Sequence, residues 1–498
     1  MDYIFNINRI CSFHLKIEDF LMNTLILGYG KTGRAVHDYI GDQSNIIVYD
    51  DILSNEEIDG LIESANLKGG KAPVFFNKIN EKVFFGKYLK DITQCVVSPG
   101  IERNHKVILE LKKYNIPIYG EIEFAYRMLK LKKSTLPAKI IAITGTNGKT
   151  TATTLCESAV KKAGLSEKIF VGGNLGVPFI SGINDFNDFI LEVSSFQLEW
   201  IYDFKPDIAV LLNVEDDHLD RYENADEYKL TKYKLFKNLR YNDVAILNYD
   251  DYDSAILKDI VGSKAILFGF DENKCNVYFK GDAINLRLKN IIGFDAVIPL
   301  KNIKLRDKRR FVIYDMMAAA CSLVVHGISP DIVTAAFENY ESPEHRVEYV
   351  GNVGGIEFYD DSKATNPAAV ISALKSLSED GENRDIVLIL GGKDKGFDYE
   401  SLILSVKNNN VRTCVLIGET RGIIGDTLKG NVELITAAGN MESAVKEAFF
   451  CLINNNERTG TGTVLLSPAS SSFDMFKDYN ERGDIFKKCY LNLKNNFI

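Results

Sequence analysis

Short runs of aliphatic, often β-branched residues recur along the chain and alternate with longer stretches in which apolar residues return every three or four positions. The short runs predict strands buried on both faces and the longer stretches predict amphipathic helices, and their alternation predicts parallel sheets covered on both sides. They fall into three blocks. The first begins at "TLILGYGKTGRAVHDYI" (24–40), contains "IIVYDD" (46–51) and "CVVSPG" (95–100), and closes near "YNIPI" (114–118). The second begins near "GEIEFAYRMLK" and carries "KIIAIT" (139–144), "FILEVSS" (189–195), "DIAVLLNV" (207–214) and "DVAILNYDD" (243–251). The third opens after "NYESPEHR" (339–346) with "RDIVLILGG" (384–392), "TCVLIG" (413–418) and "GTVLLSP" (462–468). The expected fold class is α/β, with three doubly wound domains: residues 23–117 Rossmann-like, 118–342 like a P-loop ATPase, and 343–498 Rossmann-like. Residues 1–22 read as an N-terminal extension of unknown role.

A chain of 498 residues has room for about three domains. Its 46% hydrophobic and 26% charged residues are those of a globular protein, and its net charge of −9 argues against general nucleic-acid binding. The eight cysteines form no C-x-x-C pair, so they read as small core residues of a reducing cytoplasm. The first 22 residues lack the apolar core of a signal peptide, and no apolar run is long enough to span a membrane.

The candidate chemistry centres on "ITGTNGKTTATT" (143–154). An apolar strand empties into Gly145 and Gly148, and a helix follows. Backbone N–H groups and a helix N-terminus then face one point, as an anion site requires. Ile143 stands where the usual G-x-x-x-x-G-K-[ST] loop has its first glycine, so the loop is a variant of that rule. Lys149 is placed to reach terminal phosphates and the Thr150 hydroxyl to bind Mg²⁺. Downstream, Glu192 and His218 each end or follow a buried strand, where ligands of α/β sheets gather, and could share a metal on the same nucleotide. In the first block, Gly28, Gly30 and Gly33 form G-x-G-x-x-G, with Asp50 or Asp51 at the distance of a ribose-binding acid. Alone, that fingerprint would suit a nicotinamide-dinucleotide domain.

"TGTNGKTT", "GGNLGVP" (172–178), "EVSSFQLE" (192–199), "NVEDDHLDRY" (213–222), "HR" (345–346), "DDSKATNP" (360–367), "GGKDKGFD" (391–398) and "LSPASSSFDMF" (466–476) occur in this order. Together they resemble the Mur ligases of peptidoglycan synthesis, over about residues 23–490, and within that family the branch that handles D-glutamate. The resemblance implies an ATP-dependent amide ligase joining D-glutamate to UDP-N-acetylmuramoyl-L-alanine through an acyl phosphate, acting as a cytoplasmic monomer with two Mg²⁺ ions and no membrane or nucleic-acid partner. It assigns catalytic roles to Lys149, His218, Lys232 and Asn174, with Lys232, four after Tyr228, carrying a carbamate. ATP would be held by Gly145, Thr146, Asn147, Gly148, Lys149, Thr150, Thr151, Arg346 and Asp361, with Lys363 in the adjoining motif. Thr150 and Glu192 would form the first metal site, and His218 and Lys232 the second. Gly28, Gly30, Lys31, Thr32, Gly33, Asp50, Ser98, Pro99 and Gly100 would contact the UDP-sugar, and Thr365, Lys395, Ser472 and Tyr479 would contact D-glutamate. In one departure, Asp315 stands where the family has an asparagine near adenine, keeping an acceptor and losing the amide donor.

Overall fold

The computed structural model describes residues 23–41, 45–67, 73–132, 138–215, 217, 221–301, 303, 310–338, 340, 344–378, 385–454 and 461–497. The extension expected at 1–22 lies outside them. Three sheets carry the three blocks. The first is wholly parallel, in the order Val74–Phe76, Ile46–Tyr49, Thr24–Leu27, Gln94–Val97, Ile118–Gly120. Alternate residues of its strands enter different cores: Ile26, Val48 and Val96 one, and Leu25, Leu27, Ile47 and Val97 the other. This is why each strand reads as a continuous apolar run rather than an alternation. Ile118–Gly120 completes this sheet, so the sheet runs past the division expected at 117/118.

Among the described residues the central sheet has nine strands. Ile140–Thr144 lies between Ile208–Leu211 and Asp188–Glu192, parallel to both, and delivers the phosphate loop at its carboxyl end. Ile140 and Ala142 pack into the core shared with the first domain, and Ile141 and Ile143 into a second core. The shared core runs from Val36 and Ile40 through Phe124 and Met128 of helix Glu121–Lys132 to Phe179 and Phe189. The first two domains are thereby joined by packed side chains and not only by a linker. The third sheet runs Glu348–Val353, Ile356–Asp360, Gly462–Leu466, Asp385–Leu390, Val411–Leu416, Leu434–Ala437.

The sheets are parallel except at two edges. Val277–Lys280, Ala283–Leu286 and Ala296–Pro299 form an antiparallel extension of the central sheet, and Glu348–Val353 pairs antiparallel with Ile356–Asp360. Both depart from the all-parallel expectation because of tight turns: Gly281 (φ 61°) closes the first hairpin, and Gly354 and Gly355 (φ 58° and 88°) close the second. Positive φ at two successive turn residues matches the right-handed twist of the flanking strands.

Helix Lys31–Ile40 approaches the first glycine turn so closely that a Cβ on Gly33 would run into the Gly28 carbonyl oxygen, whereas one on Gly30 would meet nothing. Gly33→Ala is therefore expected to cost about 1–3 kcal/mol, as overpacking does, and to lower the melting temperature, while Gly30→Ala melts with the parent protein. Equal melting of all three in calorimetry would contradict this packing.

Candidate active site

Gly148 ends the loop in the left-handed region (φ 86°) and caps helix Lys149–Lys162. A Cβ there would strike the Asp315 carboxylate, so the position requires glycine on both conformational and steric grounds. Asn213 and Glu215 brace the loop from the next strand. Asn147 donates its N–H to Asn213 Oδ1 (2.8 Å) and its amide Nδ2 to Glu215 Oε2 (2.7 Å), while Thr146 N–H bonds to Asn213 O (3.0 Å). The loop is thus held by side chains outside it, which substitutes for the missing first glycine.

Two lysines, one buried and one half-buried, converge on one carbonyl. Lys149 Nζ donates to Gly145 O and Thr146 O (2.7 Å each), and Lys232 Nζ donates to the same Gly145 O at 2.9 Å. Lys232 is 1% exposed on helix Ala225–Tyr233, with its amine 4.5 Å from the centre of the Tyr228 ring. Burial, and then the charge of Lys149, push the Lys232 amine well below the ordinary lysine value, against the pull of Asp217. Burial lowers Lys149 as well, opposed by Glu192, Asp217 and Asp315.

Glu192 ends its strand buried. Its Oε1 accepts from Asn174 Nδ2 (2.7 Å) and its backbone oxygen from Asn174 N–H (2.8 Å), while Oε2 is buried with no hydrogen-bond partner among the described residues. Thr150 and Glu192 line one cleft. An unpartnered carboxylate oxygen and a hydroxyl form an all-oxygen donor set that fits a hard cation such as Mg²⁺. His218, expected in the second metal set, lies outside the described residues. Lys232 does not line the cleft but sits beneath the loop.

The third domain forms the opposite wall. Arg346 donates to Thr151 Oγ1 (2.6 Å) and Lys363 to Thr150 Oγ1 (3.2 Å) at the helix start, and Asn366 Nδ2 donates to Asp217 Oδ2 (3.0 Å) beyond the neighbouring strand, so these contacts close the domain over the cleft. Arg346 is presented by a strained turn, with His345 and Val347 both at positive φ (61° and 44°) and His345 Nδ1 paired with Asp360 at 2.7 Å. Asp361 is buried behind it, accepting from Ser467 Oγ (2.6 Å) and Val347 N–H (3.2 Å), and burial raises its carboxyl to about 7. Burial lowers Lys363 to about 8, with Arg346 acting in the same direction.

Of the four residues expected at D-glutamate, Thr365 and Tyr479 line this cleft, of about 1050 Å³, together with Lys149, Glu192 and Asn174. Lys395 and Ser472 do not line it, but they sit on adjoining loops, tied where Lys393 N–H bonds to Ser471 O (2.8 Å). A residue with no motif of its own supports these loops. Arg482, fully buried, donates to Ser362 Oγ (3.0 Å), Ser362 O (2.7 Å) and Ser470 O (3.0 Å), joining the "DDSKAT" and "SPASSS" segments.

At the first glycine turn, Ser98 Oγ donates to Gly28 O (2.8 Å), and Gly30 caps the helix that bears Lys31, Thr32 and Gly33. Pro99 and Gly100 follow Ser98 at the surface. Asp50 is engaged within the protein: Oδ2 accepts from Tyr29 N–H (2.6 Å) and Oδ1 from Ile52 and Leu53 N–H (2.8 and 3.2 Å). Its carboxylate shapes the glycine turn in this structure.

The family model for the Mur ligase middle domain matches residues 143–323, and that for the Mur ligase glutamate ligase domain matches 345–469. A UDP-N-acetylmuramoylalanine–D-glutamate ligase of Thermoanaerobacter pseudethanolicus is 34% identical over 481 residues, spanning 94% of this chain and 98% of the relative. The chain belongs to the Mur ligase family. Among solved structures, the UDP-N-acetylmuramate–alanine ligase MurC of Thermotoga maritima superposes with a TM-score of 0.55 at 17% identity, covering 95% of this chain and 100% of its own. The MurF ligase of the same organism, solved with ADP, gives 0.54 at 15%, covering 83% and 92%. At those identities the likeness is one of fold, and this Mur ligase shares the three-domain architecture. Among the described residues no helix is long and apolar enough to cross a membrane.

Asp315, at the position expected near adenine, packs against the phosphate loop and lines the cleft. It is 3% exposed, and burial raises its carboxyl to about 7 against the pull of Arg346, Thr151 and Lys149. Unfolded, the same carboxyl ionises near 3.8. Between those values the folded chain holds a proton that the unfolded chain has released, so this residue's contribution to stability falls as pH rises through that window. Asparagine carries no such ionisation cost. Asp315→Asn is therefore expected to raise the melting temperature relative to the parent more at about pH 8 than at about pH 5, and a gap independent of pH in thermal melts would contradict the assignment.

Proposed function

We propose that the protein is the ATP-dependent ligase that joins D-glutamate to UDP-N-acetylmuramoyl-L-alanine in peptidoglycan precursor synthesis. The observation that carries the reading is the single cleft in which the phosphate loop, Glu192 and the third-domain residues Thr365 and Tyr479 face one space. The near-full-length similarity to D-glutamate ligases supports the choice of amino acid. The L-alanyl carboxylate takes the γ-phosphoryl group of ATP, giving an acyl phosphate and ADP. The D-glutamate amine then attacks the acyl carbon, the carbon–oxygen bond to phosphate breaks, and the amine loses a proton as the amide forms.

The residues divide this work. The loop from Gly145 to Gly148 shapes the phosphate cradle, and the start of its helix, with Thr150 and Thr151, supplies N–H donors and a positive helix end to the phosphates. Lys149 and Arg346 place positive charge where phosphoryl oxygens gain negative charge, as phosphoryl transfer requires. Thr150 and Glu192 would hold Mg²⁺, which neutralises phosphate charge, and His218 with Lys232 would hold a second ion. Asn174 fixes Glu192 by two hydrogen bonds. Asp361 orders the Arg346 turn. Gly28, Gly30, Lys31, Thr32, Gly33, Asp50, Ser98, Pro99 and Gly100 hold the UDP-sugar. Thr365, Lys395, Ser472 and Tyr479 hold D-glutamate so that its amine faces the acyl phosphate. The chain works as a cytoplasmic monomer.

The buried, depressed amine of Lys232 suits carbamate formation, because CO₂ adds to a neutral amine. An ammonium there offers a metal only donors, while a carbamate offers anionic oxygens. Lys232→Ala is expected to be nearly inactive, to regain part of its activity with acetate, and to lose a ¹³C carbamate resonance that the parent protein shows in labelled bicarbonate. Full activity in the variant, or no such resonance in the parent, would contradict the carbamate.

The amino-acid assignment has its own test. Phosphate release should require both UDP-N-acetylmuramoyl-L-alanine and D-glutamate, and L-glutamate or a diamino acid should be slower by on the order of 10²-fold, since an amine misplaced by about 1 Å has that effect. Comparable kcat/KM for the L-isomer would overturn the assignment.

A further inference from the structure

Arg103 lies in the turn between Gln94–Val97 and helix Lys106–Lys113, a few residues after Ser98, and its side chain reaches into the central domain. Its guanidinium donates to the Glu227 carboxylate and, through Nη2, to Thr231 Oγ1 (3.3 Å), and its Nε lies 3.4 Å from Glu199 Oε2. Glu199, whose side chain is fully buried, takes a bidentate pair from Arg221 (2.9 and 2.8 Å), and Arg221 Nη2 also donates to Ile101 O (2.8 Å) on the same first-domain turn. The two guanidiniums rest on aromatic faces, Arg221 over Phe196 at 4.2 Å and Arg103 over Tyr222 at 5.4 Å.

Each end of this network meets a working segment. At one end, Ile101 and Ser98 close on Gly28, where a Cβ would meet both side chains. At the other, Glu227 and Thr231 belong to the nine-residue helix that carries Lys232. Thr231 is the neighbour of Lys232 and bonds back to Glu227 O (2.8 Å), so Arg103 grips the helix one residue from the buried amine. Bidentate and multiply shared guanidinium contacts fix orientation as well as distance. The buried Glu199 carboxylate would be strongly unfavourable without its cations, which anchors both arginines, and Arg103 carries that anchorage to the helix through Glu227 and Thr231.

We propose that Arg103 is a positioning residue that transmits the seating of the sugar nucleotide on the first-domain turn to the helix bearing Lys232. The proposal rests on the reading of residues 98–100 as a sugar-nucleotide contact. When substrate orders the turn, Arg103, braced with Arg221 on Glu199, holds the helix at the depth at which the Lys232 amine meets the loop. Without Arg103, the turn still binds its ligand, but the helix no longer senses it.

Hydrogen–deuterium exchange on the full chain, with and without saturating UDP-N-acetylmuramoyl-L-alanine, tests this. In the parent protein the ligand should slow exchange across 225–233 several-fold. Arg103→Met, which keeps an apolar stem, should bind the ligand within a few-fold of the parent by calorimetry, lose that protection, and show a fall in kcat with little change in KM for the sugar nucleotide. Arg103→Lys should restore part of the protection, and Glu227→Gln should reproduce the loss from the other side. Undiminished protection in Arg103→Met, or bound ligand without protection in the parent, would overturn the coupling. Failure of the parent to bind the ligand at all would overturn the reading of the turn and the proposal with it.

Discussion

The carbonyl of Gly145 receives two lysines, Lys232 fully buried and Lys149 half-buried at the cleft, and the site is organised around that meeting. Each amine alone would be costly to charge away from water, and each makes the other harder to charge. The loop resolves this by giving Lys149 a second carbonyl, Thr146 O, and leaving Lys232 with one among the described residues. The result is one cation poised at the phosphate loop and one amine biased toward neutrality beneath it. Both follow from the strand order, since Ile140–Thr144 lies centrally and its end is covered by helix Ala225–Tyr233 on one side and by Asp315 on the other.

Around that point the three domains contribute unlike parts. The central domain supplies a loop that is rigid because Asn213 and Glu215 hold it. The third supplies cations, Arg346 and Lys363, which reach the hydroxyls of Thr151 and Thr150. Those cations depend on a buried scaffold, Arg482 joining Ser362 to Ser470, and on the strained turn at His345–Val347. The first domain is fused to the second through a continuous apolar core and through Glu199 with its two arginines, so its glycine turn and the central loop form one mechanical unit.

Legibility in the sequence followed the range of the interactions. The phosphate loop was readable because its physics is local: strand, glycines, lysine and helix start are contiguous. The three sheets were readable because strands buried on both faces leave unbroken apolar runs. The edge hairpins were missed although Gly281 and the Gly354–Gly355 pair announced them, because parallel patterning dominated the reading. Lys232 stands among Lys229, Lys234 and Lys237, and its distinct place came only from the family resemblance until burial separated it. The packing partners of Asp50 and Asp315 were not legible, because Tyr29 N–H and Gly148 reach them only through the tertiary fold. Arg103 and Arg482 had no local signal at all, and Asn366 stood in "DDSKATNP" without a role, because each acts through a partner far away in the chain.

The shared carbonyl can be tested most directly by ¹⁵N NMR of lysine side chains in buffer depleted of CO₂, with Lys232→Arg to assign the resonance. The account predicts one Nζ signal that titrates well below the ordinary lysine value and vanishes in the variant, reflecting the buried amine beside Lys149. A Lys232 signal titrating with the surface lysines, near the ordinary value of 10.5, would contradict it.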